Sequence, residues 1–199
     1  MLVLASASPR RQDLLRNAGI SFVVQPANVD ETPLPGESAR ECAERLAREK
    51  ALAVWMKRPE DLVLGADTVV VVEDVILNKP VDADDAVRML RLLSGRVHEV
   101  ITGVCLVAGD RGQGPGVSDA PSGRTLRTGS ETTLVTMSAI PDAEIRDYVA
   151  TSEPMDKAGA YAIQGIASRW IPRIEGDYTN VVGLPVALVY RLLREQAEG

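Results

Sequence analysis

Short apolar segments alternate along this chain with segments of helical periodicity, and this alternation constrains the fold more than any other feature. Residues 2–4, 21–25 and 68–72 have the length and the apolar or β-branched content of strands. Residues 9–19 carry helix start and stop signals, and residues 37–56 repeat apolar side chains at helical spacing. This mixed order of elements predicts an α/β or α+β fold.

Turn and cap residues predict the remaining elements. Gly65-Ala66-Asp67 is expected to separate a strand at 62–64 from the strand at 68–72, and Glu73-Asp74 to form a turn before a strand at 75–77. Further predicted elements are a helix from Asp82 to Leu93, a strand at 97–107 paired with one at 131–137, a helix at 142–150, a strand at 170–174 and a last helix at 184–196.

A stretch rich in Gly, Pro and Ser at residues 109–129 has neither helical nor strand periodicity. We interpret it as a flexible hairpin insertion rather than a domain linker. The 199 residues are enough to bury a core without disulfide or metal support. The chain is therefore predicted to be a single domain over residues 1–199, and two tightly joined lobes are the alternative.

The charge balance and the scarce metal-binding residues exclude several functional classes. A net charge of −6 argues against a protein that coats nucleic acid or an anionic membrane, but it allows a small anionic ligand in a local basic pocket. His98 is the only histidine, and Cys42 and Cys105 have no CxxC spacing, so any metal should be a hard cation held by carboxylates. The two isolated cysteines, the absence of a leader-like start and the short apolar runs predict a cytoplasmic protein without a membrane span.

The first candidate site is the segment from Leu4 to Arg11, in which a strand passes through small residues into a helix start. Its small side chains would let an anion approach the backbone, and Ser8 stands at the position of the helix N-cap. Arg10 and Arg11 could bind phosphate oxygens in bidentate fashion. The alternative is an ordinary capped helix with solvated arginines.

Asp67 and Lys50 are the next candidates because each is a charged residue in apolar surroundings. A carboxylate between two apolar strand segments needs a cation, a ligand or several donors, although a turn aspartate bonded to local amides is the alternative. Lys50 shares the apolar stripe of its helix, so its ammonium either snorkels outward, which is the commoner outcome, or points into a cleft.

Three other polar residues carry a weaker signal when each is considered alone. Lys79 and Lys157 lie in predicted loops and would be read as solvated charges. His98 is followed by Glu99, but neighbouring strand residues point to opposite faces, so Glu99 is not expected to orient the imidazole as in a catalytic pair.

Six segments are informative when they are taken together. They are LASASPRRQDLL from Leu4, ERLAREKA from Glu44, LGADTVVV from Leu64, NKPVDADDAVRMLRLLSGRVHEVITGV from Asn78, EPMDKAGAYAIQG from Glu153 and GDYTNVVGLP from Gly176. These segments resemble the Maf (septum formation inhibitor) family of nucleoside triphosphate pyrophosphatases. The resemblance covers nearly the whole chain in order, with residues 109–129 outside it.

The resemblance implies a fold, an activity and a set of site residues. The implied fold is an elongated mixed central sheet with flanking helices and two lobes around a deep cleft, similar to inosine triphosphate pyrophosphatases. The implied activity is hydrolysis of a nucleoside triphosphate to the monophosphate and pyrophosphate with Mg²⁺ or Mn²⁺. Asp67 matches the catalytic proton acceptor and, with Glu31, would hold the metal; the positions matching substrate binding or selection are Ser8, Arg10, Arg11, Lys50, Thr68, Lys79, Lys157 and Gln164.

Residues 156–165 resemble the subgroup of the family that acts on dTTP and UTP. Gln164 can offer a donor and an acceptor to a pyrimidine edge. This predicts a house-cleaning pyrophosphatase for dTTP, UTP or modified pyrimidine nucleotides, with a homodimer as the expected assembly. The alternatives are a Maf-like pyrophosphatase with another base preference, a septation regulator that binds nucleotide without turnover, and a plain nucleotide-binding module.

Overall fold

The computed structural model describes residues 1–109 and 123–198, which form a mixed α/β structure. The strands are β1 (Leu2–Leu4), β2 (Val23–Val24), β3 (Leu62–Val72), β4 (Val75–Leu77), β5 (Val97–Gly109), β6 (Arg124–Thr136) and β7 (Arg173–Glu175). The α-helices are α1 (Pro9–Asn17), α2 (Ala39–Trp55), α3 (Ala83–Leu93), α4 (Asp142–Ala150), α5 (Tyr178–Val182) and α6 (Val186–Glu198). Three short 3-10 turns follow α4, at Glu153–Asp156, Ala158–Ala160 and Ile166–Trp170.

The sheet combines parallel and antiparallel strands in the order β2-β1-β3-β5-β6-β7, with β4 paired to β3. β1 runs parallel to both of its neighbours, and Val3 lies opposite Val23 on one side and Val63 on the other. The β3–β4 and β6–β7 pairs are antiparallel. The α/β class and the mixed central sheet with helices are therefore confirmed.

The described chain divides into two compact units. The first comprises the described residues of Met1–Asp67, Gly103–Ser130 and Val186–Gly199, and the second comprises Thr68–Thr102 and Glu131–Pro185. The single domain predicted for residues 1–199 stays a prediction.

In the first unit, small residues let α2 pack close to the strands. A Cβ atom added at Gly65 would lie 2.1 Å from the carbonyl oxygen of Ala47, and one at Gly103 would lie 2.4 Å from that of Ala43. The predicted break at residues 65–67 is wrong, because β3 is continuous from Leu62 to Val72. Gly65 serves a close helix contact there and does not form a turn.

The second unit encloses its own apolar core between α3, α4 and strand residues. α3 begins as predicted after Asp82, whose side chain accepts a hydrogen bond from the backbone of Asp85. Leu90 on its apolar face belongs to a cluster of buried residues of this unit that also includes Leu77, Ile145 and Trp170. Such a continuous apolar cluster is typical of a helix layer on one face of a sheet.

Several predicted boundaries differ from the structure. β6 begins at Arg124 and not at 131, so part of the stretch at 109–129 is strand, while residues 110–122 lie outside the described chain. The strand predicted at 170–174 begins later, because a 3-10 turn ends at Trp170 and β7 covers Arg173–Glu175. The helix predicted from Leu184 begins at Val186, and the preceding short helix α5, capped by Asp177, was not predicted. Among the described helices, none combines the length and the apolar character needed to cross a membrane.

Candidate active site

The first part of the site is the link between β1 and α1. Ser6, which follows β1 in the chain, is buried, and its Oγ accepts a hydrogen bond from the backbone N–H of Ser8 at 3.3 Å. Ser8 is the N-cap residue of α1, and its hydroxyl makes no capping bond. Pro9 occupies the start of the helix as predicted, where its fixed φ suits a first helical turn.

Arg11 turns back from α1 toward β3. Its Nη1 donates to Ser6 Oγ at 3.2 Å and to the carbonyl oxygen of Ala66 at 2.8 Å. Burial lowers the pKa of the Arg11 guanidinium, and the negative charge of Asp67 opposes this shift. Arg10 lowers the same pKa and Glu31 raises it, each by a smaller amount. Arg11 is therefore a cation held beside the Asp67 carboxylate, and not a solvated charge on an ordinary helix.

Lys50 and Asp67 form a buried ion pair in the first unit. The Lys50 Nζ donates to Asp67 Oδ1 at 2.5 Å and also pairs with Glu31 Oε1 at 2.6 Å. Lys50 and Asp67 are each only 7% exposed, whereas Glu31 is exposed. Of the two outcomes considered for Lys50, snorkelling outward does not occur. A buried charge requires a partner, and here each group supplies one to the other.

The loop that carries Glu31 is fastened to α2 by Arg45. The Arg45 guanidinium bonds Glu37 at 2.6 Å and 2.9 Å, and it also donates to the carbonyl oxygen of Thr32 at 3.2 Å. Asp30 closes the same loop by accepting from the backbone N–H of Thr32. The hydrogen bond from Arg45 is the main reason that the pKa of Glu37 is lowered to about 2.

Arg45 and Glu37 were missed as site residues in the sequence. The available signal was local: Ser38 and Glu41 form a capping box at the start of α2, which fixes where the loop meets the helix. Helical spacing indicates the pair of Arg45 with Glu49, four residues later, but not its bonds to Glu37 and Thr32, because both residues precede the helix.

The donor set near Asp67 fits a divalent cation that also binds a phosphate ligand. Among the described residues, no group of three or more His, Cys, Asp or Glu side chains could hold a metal on its own. Two carboxylates, Asp67 and Glu31, nevertheless converge on one cationic group, the Lys50 ammonium. Mg²⁺ is commonly held by one or two carboxylates together with substrate phosphate oxygens and water, which agrees with this pair.

Thr68 begins the second unit and joins a buried hydroxyl network there. Its Oγ1 lies 2.9 Å from Thr102 Oγ1, and it also donates to the carbonyl oxygen of Gly183 at 3.3 Å. The Asn180 side chain lies in the same network, where its amide donates to Thr133 Oγ1 and to the carbonyl oxygen of Val100. The sequence singled out Thr68 but not these supporting residues.

Lys157 and Lys79 also lie in the second unit. Lys157 Nζ donates to the carbonyl oxygen of Glu153 and to Asp156 Oδ1, each at 2.5 Å, whereas Lys79 is exposed. The backbone N–H of Gly159 donates to the carbonyl oxygen of Asn78 at 3.2 Å, which joins the two lysine-bearing segments. The lysines are thus carried by neighbouring backbone segments of this unit.

Gln164 is exposed on a tight turn of the second unit. The backbone N–H of Ala162 donates to Tyr148 Oη at 3.2 Å, and that of Ile166 donates to Glu153 Oε1 at 3.1 Å. The turn is therefore held on both sides of Gln164 by side chains from α4 and from the 3-10 turn that follows it.

His98 is not arranged as a catalytic base. It is 2% exposed, its Nε2 lies 2.8 Å from Tyr161 Oη, and burial lowers its pKa to about 4. Glu99 is exposed, which agrees with the prediction that the two side chains point to opposite faces.

In the first unit, the described candidates include two half-buried arginines, Arg10 and Arg11, at a helix start, together with two carboxylates and a buried lysine. Such an arrangement can bind a phosphorylated anion and remove a proton from water, as expected of a hydrolase that acts on phosphate anhydrides. Residues 1–196 match the family model described as "Maf-like protein". The chain therefore belongs to the Maf family.

Curated relatives are similar over nearly the full length of this chain. A protein of Koribacter versatilis named "dTTP/UTP pyrophosphatase" is 55% identical over 193 residues, which cover 97% of this chain and 93% of the relative. Proteins of the same name from a Geobacter species and from Symbiobacterium thermophilum are 50% and 47% identical. The alignments cover 97% and 98% of this chain and 94% and 93% of those relatives.

Proposed function

We propose that this protein hydrolyses dTTP and UTP to the corresponding monophosphate and pyrophosphate. The name shared by the relatives at 47–55% identity supports the substrates. The observation that carries the chemistry is the buried Asp67 carboxylate held by Lys50 and lying beside Arg11. In the reaction, a water oxygen attacks the α-phosphorus, the bond from that phosphorus to the bridging oxygen of the β-phosphate breaks, and pyrophosphate leaves.

Asp67 is proposed to accept a proton from the attacking water. Its Oδ1 is bonded to Lys50, so a second carboxylate oxygen is left for the water while the lysine fixes the orientation of the group. The ammonium also offsets the cost of burying the carboxylate in apolar surroundings. Lys50 is in this sense a positioning residue for the proton acceptor.

The cationic residues are proposed to bind the triphosphate. Arg11 and Arg10 lie at the start of α1, where free backbone N–H groups favour anions, and Ser8 has a hydroxyl that capping does not use. Lys79 and Lys157 are assigned to the same task by the family resemblance. Positive charge near the leaving group would stabilise the charge that develops on pyrophosphate.

A divalent cation, Mg²⁺ or Mn²⁺, is proposed as the cofactor. Asp67 and Glu31 would hold it together with phosphate oxygens, because both carboxylates already meet at one cationic group. When bound, such an ion supplies a Lewis acid for the phosphate oxygens. Arg45 would keep Glu31 within reach by fastening its loop to α2.

Gln164 and Thr68 are proposed to select the base. An amide can offer one donor and one acceptor to a pyrimidine edge, and Gln164 is exposed on a turn whose two flanks are fixed. A site that hydrogen-bonds its substrate rejects analogues that lack the matching groups, because polar atoms are then left unpaired.

The proposal is tested by incubating the protein with canonical and modified nucleoside triphosphates and Mg²⁺ or Mn²⁺, and by identifying the released anion. Pyrophosphate is expected, and orthophosphate would contradict attack at the α-phosphorus. Asp67→Asn should lower kcat by about 10²–10⁴-fold. Asp13→Asn, which changes an exposed aspartate of α1, is the matched control and should leave kcat unchanged.

The same experiment separates the alternatives. Similar rates for purine and pyrimidine nucleotides would favour a Maf pyrophosphatase of different preference. Nucleotide binding without turnover would favour a non-catalytic regulator.

We also propose that the protein is cytoplasmic and that it forms a homodimer. Cys42 and Cys105 are both free and buried, which is usual in a reducing compartment. Sedimentation with and without nucleotide would give the assembly state.

A further inference from the structure

The side chains of Tyr148 and Glu153 hold the turn on which Gln164 lies. Tyr148 Oη donates to Glu153 Oε1 at 2.8 Å and accepts the backbone N–H of Ala162 at 3.2 Å. Glu153 Oε1 also accepts the backbone N–H of Ile166 at 3.1 Å. The two backbone groups lie two residues before and two residues after Gln164, so this pair restrains both sides of the turn.

The pair is itself rigidly placed. Tyr148 is 1% exposed and packs edge to face on Trp170, with ring centroids 5.3 Å apart. Glu153 directly follows Ser152, which adopts a left-handed conformation with φ of 62°, and its backbone N–H donates to Thr151 Oγ1. The buried ring fixes the Tyr148 hydroxyl, and the chain reversal fixes the backbone from which the Glu153 side chain extends to the turn.

Gly165 is required for the contact between the carboxylate and the turn. A Cβ atom added at this glycine would lie 2.2 Å from Glu153 Oε1 and 2.7 Å from Oε2. Its φ is −106°, so the requirement comes from space and not from backbone conformation. Any larger residue would displace the carboxylate from the N–H of Ile166.

We propose that Tyr148 and Glu153 are positioning residues for base selection: by restraining the turn, they set the location of Gln164 and so the preference among nucleobases. This inference rests on the proposed function, in which Gln164 reads the base. Gln164 is exposed, so its own side chain gains little order from packing. The backbone restraints on either side therefore decide where its amide is offered, and a recognition group must be held to within about 0.5 Å to discriminate.

The geometry separates base selection from phosphate binding. Lys157 Nζ donates to the backbone carbonyl oxygen of Glu153, whereas the turn is held by the Glu153 side chain. Substitution of the side chain leaves that carbonyl in place. A substitution that disturbs only the turn should therefore change the ratio of kcat/KM between nucleotides. It should not change binding of the phosphate groups, which all the nucleotides share.

The test compares kcat and KM for dTTP, UTP, CTP, GTP and ATP among variants of the pair. In Tyr148→Phe and Glu153→Ala, the pyrimidine-to-purine ratio of kcat/KM should fall by about tenfold or more, mainly through a higher KM for dTTP and UTP. Glu153→Gln keeps an acceptor oxygen for Ile166, so its ratio should fall less. Gly165→Ala should reproduce the effect of Glu153→Ala, because its Cβ displaces the carboxylate.

Controls distinguish this inference from a general loss of structure and from failure of the proposed function. Tyr190→Phe and Glu99→Ala alter exposed residues that are not part of the Tyr148–Glu153 pair and should keep the wild-type ratio. Equal falls for all nucleotides in the folded variants would overturn the positioning role. A wild-type protein without pyrimidine preference would instead contradict the proposed function. If Glu153→Ala does not fold, Tyr148→Phe and Glu153→Gln decide the question.

Discussion

Lys50 and Asp67 form a buried ion pair in which Nζ lies 2.5 Å from Oδ1, and each residue is only 7% exposed. The lysine comes from α2 and the aspartate from β3, so the pair depends on how closely helix and strand approach. Glu31 adds a second carboxylate at 2.6 Å from the same ammonium. The pair should therefore influence both the stability of the fold and the proposed proton transfer.

Lys50→Met is expected to impair stability and activity together. It leaves the buried Asp67 carboxylate without its cation, which should cost about 3–5 kcal/mol in the free energy of unfolding. Its kcat should fall at least about hundredfold, because the proton acceptor loses its orientation. Urea unfolding and steady-state kinetics measure the two effects, and Lys57→Met, at an exposed lysine beyond the same helix, is the control.

The double variant Lys50→Met/Asp67→Asn should be more stable than Lys50→Met alone, since no charged carboxylate then remains at position 67. It should stay inactive. Additive losses of stability in the two single variants would show that the residues do not act as a pair.

Arg45→Ala should release the loop that carries Glu31. The substitution removes the bonds to Glu37 and to the carbonyl oxygen of Thr32, and loss of hydrogen bonds between charged groups costs about 1.5–3 kcal/mol. Cleavage of residues 30–37 by a protease should become faster and kcat should fall. Arg48→Ala, at an exposed arginine of the same helix, should change neither rate.

The pH dependence of this restraint has a defined sign. Because the pKa of Glu37 is lowered to about 2 in the folded protein, chiefly by Arg45, its contribution to stability is present above its ordinary pKa of 4.5 and is lost as the pH falls toward 2. The stability difference between wild type and Arg45→Ala should therefore shrink across that range. A constant difference would contradict the role of the Arg45–Glu37 pair.

Gly65→Ala should be strongly destabilising. Its Cβ would lie 2.1 Å from a backbone carbonyl oxygen of α2 and 2.7 Å from a backbone nitrogen, so the helix must move away from β3. We expect a loss of about 3 kcal/mol or more in unfolding free energy. Gly129→Ala is the matched control, because its Cβ would meet only the Leu188 side chain, at 3.4 Å, and its melting temperature should change little.

The sequence predicted most of the elements but not the contacts that build the site. Local signals such as the Asp82 cap and the helix at 142–150 depend on neighbouring residues, so they could be recognised directly. Gly65 was misjudged because a glycine within apolar residues signals either a turn or a close backbone contact, and only the position of α2 decides between them. The sequence offered no sign that Arg45 holds the loop through Glu37 and Thr32 or that Tyr148 holds a turn, since these contacts depend on tertiary packing.

The candidate site residues show the same contrast: single residues could be recognised from local patterns, but their contacts with one another could not. Lys50 was recognisable as a charge within an apolar stripe, but its partners Asp67 and Glu31 came from separate segments of the chain. The family resemblance supplied these residues as a set, and the structure joins three of them through one ammonium group. Periodicity alone would have favoured a snorkelling lysine.

His98 offers a direct measurement of burial, because it is the only histidine and gives one imidazole signal in an NMR titration. Burial lowers its pKa from 6.5 to about 4, so its neutral form is favoured in the folded protein. The stability that the neutral imidazole contributes is fully present above pH 6.5 and is lost as the pH falls from 6.5 to about 4. The free energy of unfolding should fall by up to about 3 kcal/mol over this range.

His98→Phe tests this dependence against the wild type. The variant leaves Tyr161 Oη without its partner, so it should be the less stable protein at pH 7. On acidification to pH 4.5 the difference should shrink by about 2–3 kcal/mol, because only the wild type must keep a buried imidazole neutral. Urea unfolding at the two pH values measures the change. An imidazole that titrates near 6.5 would show that the ring is solvated and would contradict this account.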